Sequence, residues 1–115
     1  LERIFCSGEA LSPEHFKKCK LALPHVLVHN LYGPTEASVD VLFYDCNDTT
    51  TNIIPIGKPI DNTQALIVDK DLCILPAGAI GELLIGGTGL ARGYINKPEL
   101  TQDKFITNKT IPDLG

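Results

Sequence analysis

The sequence predicts an α/β fold: a β-strand, α-helix, β-strand unit of a parallel sheet, followed by a β-rich segment with one short helix. Three observations predict it. Two short apolar runs, Arg3–Cys6 and Val26–Leu31, flank a stretch with clear helix-start and helix-stop residues. Asn47 to Asn52 reads Asn-Asp-Thr-Thr-Thr-Asn, a polar break in the chain. Beyond it, short apolar segments alternate with Gly, Pro, Asn and Asp, which is the punctuation of antiparallel strands and turns.

Arg3–Cys6 reads as the end of a buried strand, left by the turn Ser7-Gly8-Glu9. Ser12 is a natural N-cap, Pro13 suits the first helical position, and Glu14 favours the positive end of the helix dipole. Leu11 and Phe16 are spaced to close over that start as a hydrophobic staple. Phe16, Cys19 and Leu23 form one apolar face, Lys17, Lys18 and Lys20 stay in water, and Pro24 stops the helix. Val26–Leu31 is the second strand. A strand, a crossover helix and a strand make a parallel pair, and ligands of such sheets bind at the strands' carboxyl ends. The loops 7–10 and 30–36 both leave those ends, so topology sets them side by side.

Val39–Tyr44 reads as a strand or a short helix. After the polar break come a strand at Ala65–Val68, a turn at Asp69-Lys70-Asp71 and a short strand at Cys73–Leu75. A turn at Pro76-Ala77-Gly78 follows, then a strand at Glu82–Ile85 ending in Gly86-Gly87. Pro98 opens a helix over about Glu99–Phe105, with Leu100 and Phe105 as its apolar contacts.

The 115 residues suffice for one modest core. They include no Met and open directly into an apolar run, so the chain is expected to be an internal piece of a longer one. A net charge of −4 argues against nucleic acid or an anionic membrane as partner. No apolar run approaches the roughly 20 residues that span a bilayer. Cys6, Cys19, Cys46 and Cys73 form no CxxC pair and sit far apart; two disulfides are conceivable, but the pattern fits buried free thiols in a reducing, cytoplasmic compartment better. His15, His25 and His29 make no convincing metal set and read as structural.

Chemistry concentrates in Asn30-Leu31-Tyr32-Gly33-Pro34-Thr35-Glu36. A Gly-Pro pair fixes a turn and holds the side chains around it. Tyr32 offers a flat surface to a base or packs in the core. Thr35 donates to a phosphate oxygen or caps the next segment. Glu36 holds Mg²⁺, a hard cation suited to carboxylate and phosphate oxygens, or is a surface charge. The glycine-rich run Gly81–Gly93 lacks the Gly-Lys-Ser/Thr ending of a phosphate loop and reads as tight strand-to-strand turns.

NLYGPTE at Asn30–Glu36 resembles a core motif of nonribosomal peptide synthetase adenylation domains. GELLIGGTGLARGYINKPELTQDKF at Gly81–Phe105 resembles the long motif that follows it there, and SGEAL at Ser7–Leu11 resembles the segment upstream. Related acyl-CoA synthetases and luciferases share the Tyr-Gly and Thr-Glu parts, while Pro34 and Leu90–Tyr94 favour the peptide synthetase branch. The resemblance implies a fragment of an adenylate-forming enzyme. Residues 1–46 would end its α/β subdomain, and 47–115 would begin a β-rich, distorted barrel-like subdomain.

The resemblance also implies roles. Asn30 and Tyr32 hold adenine by hydrogen bonds and stacking, and the backbone around Gly8, Glu9 and Ala10, with Gly33, lines the same pocket. Thr35 contacts the α-phosphate and Glu36 coordinates Mg²⁺, which makes these two the catalytic pair. Phe5, Ser7, Leu31, Val39 and Asp40 line the amino-acid pocket, in a combination similar to the family's serine-selecting pattern. An apolar wall with one hydroxyl and one carboxylate wants a hydroxyl-bearing side chain, because polar groups are costly to leave unpaired in a closed site. L-serine is the expected substrate, with threonine as nearest competitor.

The implied enzyme is an AMP-forming ligase that uses ATP and Mg²⁺ to make aminoacyl-AMP. It then passes the acyl group to the phosphopantetheine thiol of a peptidyl carrier domain, beside a condensation domain in the same chain. The family's phosphate loop, amino-group Asp, ribose-binding Asp and catalytic Lys would lie outside these residues, so the fragment alone is expected to be inactive. The alternatives are an acyl- or aryl-CoA synthetase fragment and a non-catalytic remnant.

Overall fold

The computed structural model describes residues 1–107, which divide into two compact units, 1–60 and 61 onward. In the first unit, β1 (Arg3–Cys6), α1 (Pro13–Ala22), β2 (Leu27–Tyr32), β3 (Leu42–Cys46) and β4 (Lys58–Pro59) follow in order. The strands form one sheet in the same order, β1-β2-β3-β4. β1 and β2 are parallel, with Phe5 opposite His29 and Cys6 opposite Asn30. β3 runs antiparallel to β2, setting Asp45 opposite His29 and Leu42 opposite Tyr32.

The helix signals act as read. Ser12 Oγ accepts from the His15 amide at 3.1 Å, and Leu11 and Phe16 belong to one apolar cluster. That cluster joins Phe16 of α1 to Val28 and Cys46 of the sheet, with Cys6, Cys19 and Tyr44 around it. α1 therefore covers the sheet face that carries Val28, Asn30 and Cys46. Side chains alternate along a strand, so Phe5, His29 and Leu31 lie on the opposite face. Lys20 is a departure from the expected solvated face: its Nζ donates to the carbonyls of Pro24 at 2.9 Å and Val26 at 2.7 Å. It ties the helix end to the approach of β2.

Two other expectations shift. Val39–Tyr44 resolves into a loop followed by β3, which starts three residues later than expected, and the sheet is mixed rather than wholly parallel. β4 went unread because two residues with a proline carry no strand periodicity. It pairs Lys58 with Phe43, which draws residues 47–60 into the first unit. The compact units divide after residue 60, whereas the polar break in the sequence sets the expected subdomain boundary after 46.

In the second unit β5 (Thr63–Val68) pairs antiparallel with β6 (Glu82–Gly87), and α2 spans Pro98–Lys104. β6 ends in Gly86-Gly87 as expected, and both glycines are still paired there, opposite Gln64 and Thr63. Gly87 has φ 126°, and a Cβ there would meet the Asn62 carbonyl oxygen at 2.2 Å, so close backbone approach requires glycine. Cys73–Leu75 makes a single bridge, Val68 to Ile74, instead of a strand. The turn before it is closed by Asp69 Oδ1, which accepts from the amides of Asp71 and Cys73, and Pro76 stops further pairing. α2 is tied back by the Tyr94 amide, which donates to Thr101 Oγ1 at 2.9 Å, and by the edge-on rings of Tyr94 and Phe105. The part of the β-rich expectation at 108–115 lies outside the described residues. Among the described residues no helix is long and apolar enough to cross a membrane.

Candidate functional site

The site is built where β1 and β2 end side by side. Because Cys6 pairs with Asn30, the segments that follow, Ser7–Ala10 and Leu31–Glu36, leave adjacent strands in the same direction. Ser7, Gly8, Glu9 and Ala10 are all exposed, and Gly8 turns the chain at φ 90°. After Tyr32 the chain makes a tight return. The Val41 amide donates to the Tyr32 carbonyl at 2.7 Å, closing a loop over residues 33–40.

Gly33 sits at the neck of that loop. A Cβ there would meet the Val39 carbonyl oxygen at 1.8 Å, so its absence lets the two loop arms touch. Val39 is left with φ 45°, a left-handed conformation rare for a β-branched residue, and its side chain is 82% exposed. Such strain costs on the order of 1–3 kcal/mol and gathers at ligand sites. The Ala37 amide donates to the Pro34 carbonyl, so Thr35 and Glu36 are the central residues of a turn. The turn expected at Gly33-Pro34 lies two residues further on, and it presents Thr35 and Glu36 at its apex.

Ser7 and Asp40, 33 residues apart, are brought together: Ser7 Oγ donates to Asp40 Oδ1. Strand alternation then sorts the rest. Asn30 is on the α1 face of β2, with Tyr32 two residues on, whereas Phe5 and Leu31 are on the other face, toward Ser7. Asn30 is 3% exposed, and its Nδ2 donates to the Pro55 carbonyl at 2.8 Å. Its Oδ1 is buried with no partner among the described residues. Pro55 was not singled out in the sequence, since nothing local to it signals that it meets Asn30.

His29, structural by its sequence context, has its partner in Asp45, which carries no local signal. His29 Nδ1 lies 2.5 Å from Asp45 Oδ1, and the His29 ring stacks on Phe5 with centroids 4.9 Å apart. No signal could reveal this before β2 and β3 were known to pair antiparallel. Burial first, and then the neighbouring Cys19, push the Cys6 thiol pKa up. Burial also raises that of Cys46. Among the described residues no group of three or more His, Cys, Asp or Glu side chains is placed to cage a metal. A hollow of about 490 Å³ in the second unit, lined by Asn62, Thr63, Gln64, Gly87 and Thr88, gathers none of the sequence-predicted site residues.

A family model described as AMP-binding enzyme matches residues 1–95. The chain belongs to the AMP-binding enzyme family. Tyrocidine synthase 3 of Brevibacillus parabrevis is 47% identical over 112 residues, covering 97% of this chain and 2% of that one. The structure of holo-AB3403, a four-domain nonribosomal peptide synthetase bound to AMP and glycine, superposes with a TM-score of 0.83 at 38% identity. It covers 96% of this chain, which spans 8% of that protein. The nonribosomal peptide synthetase FmoA3 bound to α-methyl-L-serine-AMP matches with a TM-score of 0.84 at 35% identity, covering 93% of this chain and 12% of its own. The fold is thus that of a fragment of an adenylate-forming enzyme, and AMP-binding family members of this kind are the chain's relatives.

Proposed function

We propose that the chain forms one wall of an amino-acid adenylation site in a nonribosomal peptide synthetase, with L-serine as substrate. The observation that carries this reading is the hydrogen bond between Ser7 and Asp40, made beside the loop that presents Thr35 and Glu36. A hydroxyl already oriented by a carboxylate forms a polar floor next to the apolar Phe5, Leu31 and Val39. Asp40 has a second oxygen to accept from a substrate hydroxyl, and Ser7 Oγ retains lone pairs. A site of that kind discriminates against the analogue lacking the hydroxyl by about 10⁴–10⁵.

On the other face of β2, Tyr32 stacks on adenine. Asn30, with its amide nitrogen engaged by Pro55, offers Oδ1 to the exocyclic amine. The backbone of Gly8, Glu9 and Ala10 closes the nucleotide pocket. Thr35 Oγ1 donates to the α-phosphate, stabilising charge that grows as the amino-acid carboxylate attacks phosphorus and pyrophosphate leaves. A single carboxylate at a turn apex suits Mg²⁺, which binds through one or two carboxylates together with phosphates and water. Glu36 would hold it, and the ion would neutralise the phosphate oxygens. The acyl group then passes to the phosphopantetheine thiol of a carrier domain in the same cytoplasmic assembly.

The test is Glu36→Gln in the full-length protein. The reading expects adenylation to fall by at least about 10²-fold with the fold intact, the size of effect seen when a transition-state charge stabiliser is removed. Wild-type turnover would remove Glu36 from the metal role.

A further inference from the structure

Phe5, His29 and Asp45 lie in register across β1, β2 and β3, so their side chains share one sheet face. One flat side of Phe5 rests on His29, with the rings 18° from parallel, and the residue remains 60% exposed. His29 in turn is held by Asp45 through Nδ1. Its Nε2 is buried with no partner among the described residues, so the ring's anchor on this side is the carboxylate. The His29 side chain is 13% exposed and that of Asp45 52%.

We infer that Asp45 and His29 are positioning residues for the amino-acid pocket: the carboxylate orients the imidazole, and the imidazole fixes the Phe5 ring. A strand phenylalanine has at least two accessible χ1 wells. A platform on one side selects one of them, leaving the other flat side of the ring as a preset wall. Pockets whose walls are already in place lose less on binding than pockets that must order them. Leu31 and Ser7 follow two residues after His29 and Phe5, so the row lies directly behind the proposed amino-acid pocket. It is on the face opposite Asn30, and the nucleotide side is untouched by it.

This inference rests on the adenylation reading, and its test separates the two. Amino-acid-dependent ATP–pyrophosphate exchange is measured in the full-length protein carrying this segment, with Asp45→Ala, His29→Ala and Asp45→Glu. Loss of an oriented aromatic contact is expected to raise KM for the amino acid about 2- to 12-fold in the two alanine variants. KM for ATP should stay within about twofold of wild type, since only the amino-acid side is disturbed. Asp45→Glu, which restores a carboxylate, should recover part of the loss. Asp45 is half-exposed, so its alanine variant keeps the test decisive if His29→Ala does not fold. An unchanged amino-acid KM in Asp45→Ala, or a lowered kcat with both KM values unchanged, overturns the inference while leaving the adenylation reading standing. Wild-type protein that exchanges with no amino acid overturns both.

Discussion

Ser7 and Asp40 meet across 33 residues of chain, the first at the carboxyl end of β1 and the second just before β3. Neither neighbours the other in the sheet. They meet because Cys6 and Asn30 pair and because the loop 33–40 returns on itself through the Val41–Tyr32 hydrogen bond. The pair is at the surface of the described residues, so its contribution to stability is small, within the ~0–1 kcal/mol usual for exposed polar pairs. Its proposed value is in substrate selection. Ser7→Ala in the full-length protein should lower the serine-to-alanine ratio of kcat/KM by about 10²-fold or more, toward what an apolar pocket achieves unaided. An unchanged ratio in steady-state exchange assays would remove the pair from substrate choice.

Gly33 is the second test. A methyl group there meets the Val39 carbonyl, which is backbone and cannot swing aside. Gly33→Ala should cost about 1–3 kcal/mol locally. That reads as roughly 5- to 150-fold faster exchange of the Val41 amide, whose bond to Tyr32 closes the loop. Wild-type protection of that amide by hydrogen-exchange mass spectrometry would show that the loop does not depend on the glycine.

The thiols make a pH prediction. Burial raises the pKa of Cys6 and Cys46 above the ordinary 9.0, so the folded chain holds those protons longer than the unfolded one. The resulting stability is present in full below 9.0 and is lost as pH rises from there through the folded values. Alkylation followed by peptide mapping should accordingly label exposed Cys73 first and buried Cys46 last. Equal rates at Cys46 and Cys73 near neutral pH would contradict the placement of Cys46 in the core.

Much of the fold was legible because its signals are local. Ser12, Pro13 and Phe16 define α1 by chemistry that acts within one turn of helix, and β1 needed only its apolar run. What stayed hidden depends on pairing between distant segments. The Lys58–Pro59 strand has no periodicity to read, and it draws residues 47–60 into the first compact unit. The contacts of His29 with Asp45, and of Asn30 with Pro55, exist only once β3 has folded back on β2. Cys73 was read with the buried thiols and is exposed, since Cys73–Leu75 forms one bridge and not a strand. For the site, residue types at the strand ends could be read from sequence. Their sorting, with Asn30 and Tyr32 on one face of β2 and Leu31 on the other, follows from strand alternation, whereas the partners each face meets depend on strand pairing.

In the proposed site the Ser7–Asp40 side selects an amino acid bearing a hydroxyl. Its most direct test is ATP–pyrophosphate exchange by the full-length protein against a panel of amino acids and of carboxylic acids lacking the amino group. Exchange is expected to be driven most strongly by L-serine, with L-threonine next. Exchange driven by valine or phenylalanine but not serine, or by acids without an amino group, would contradict it.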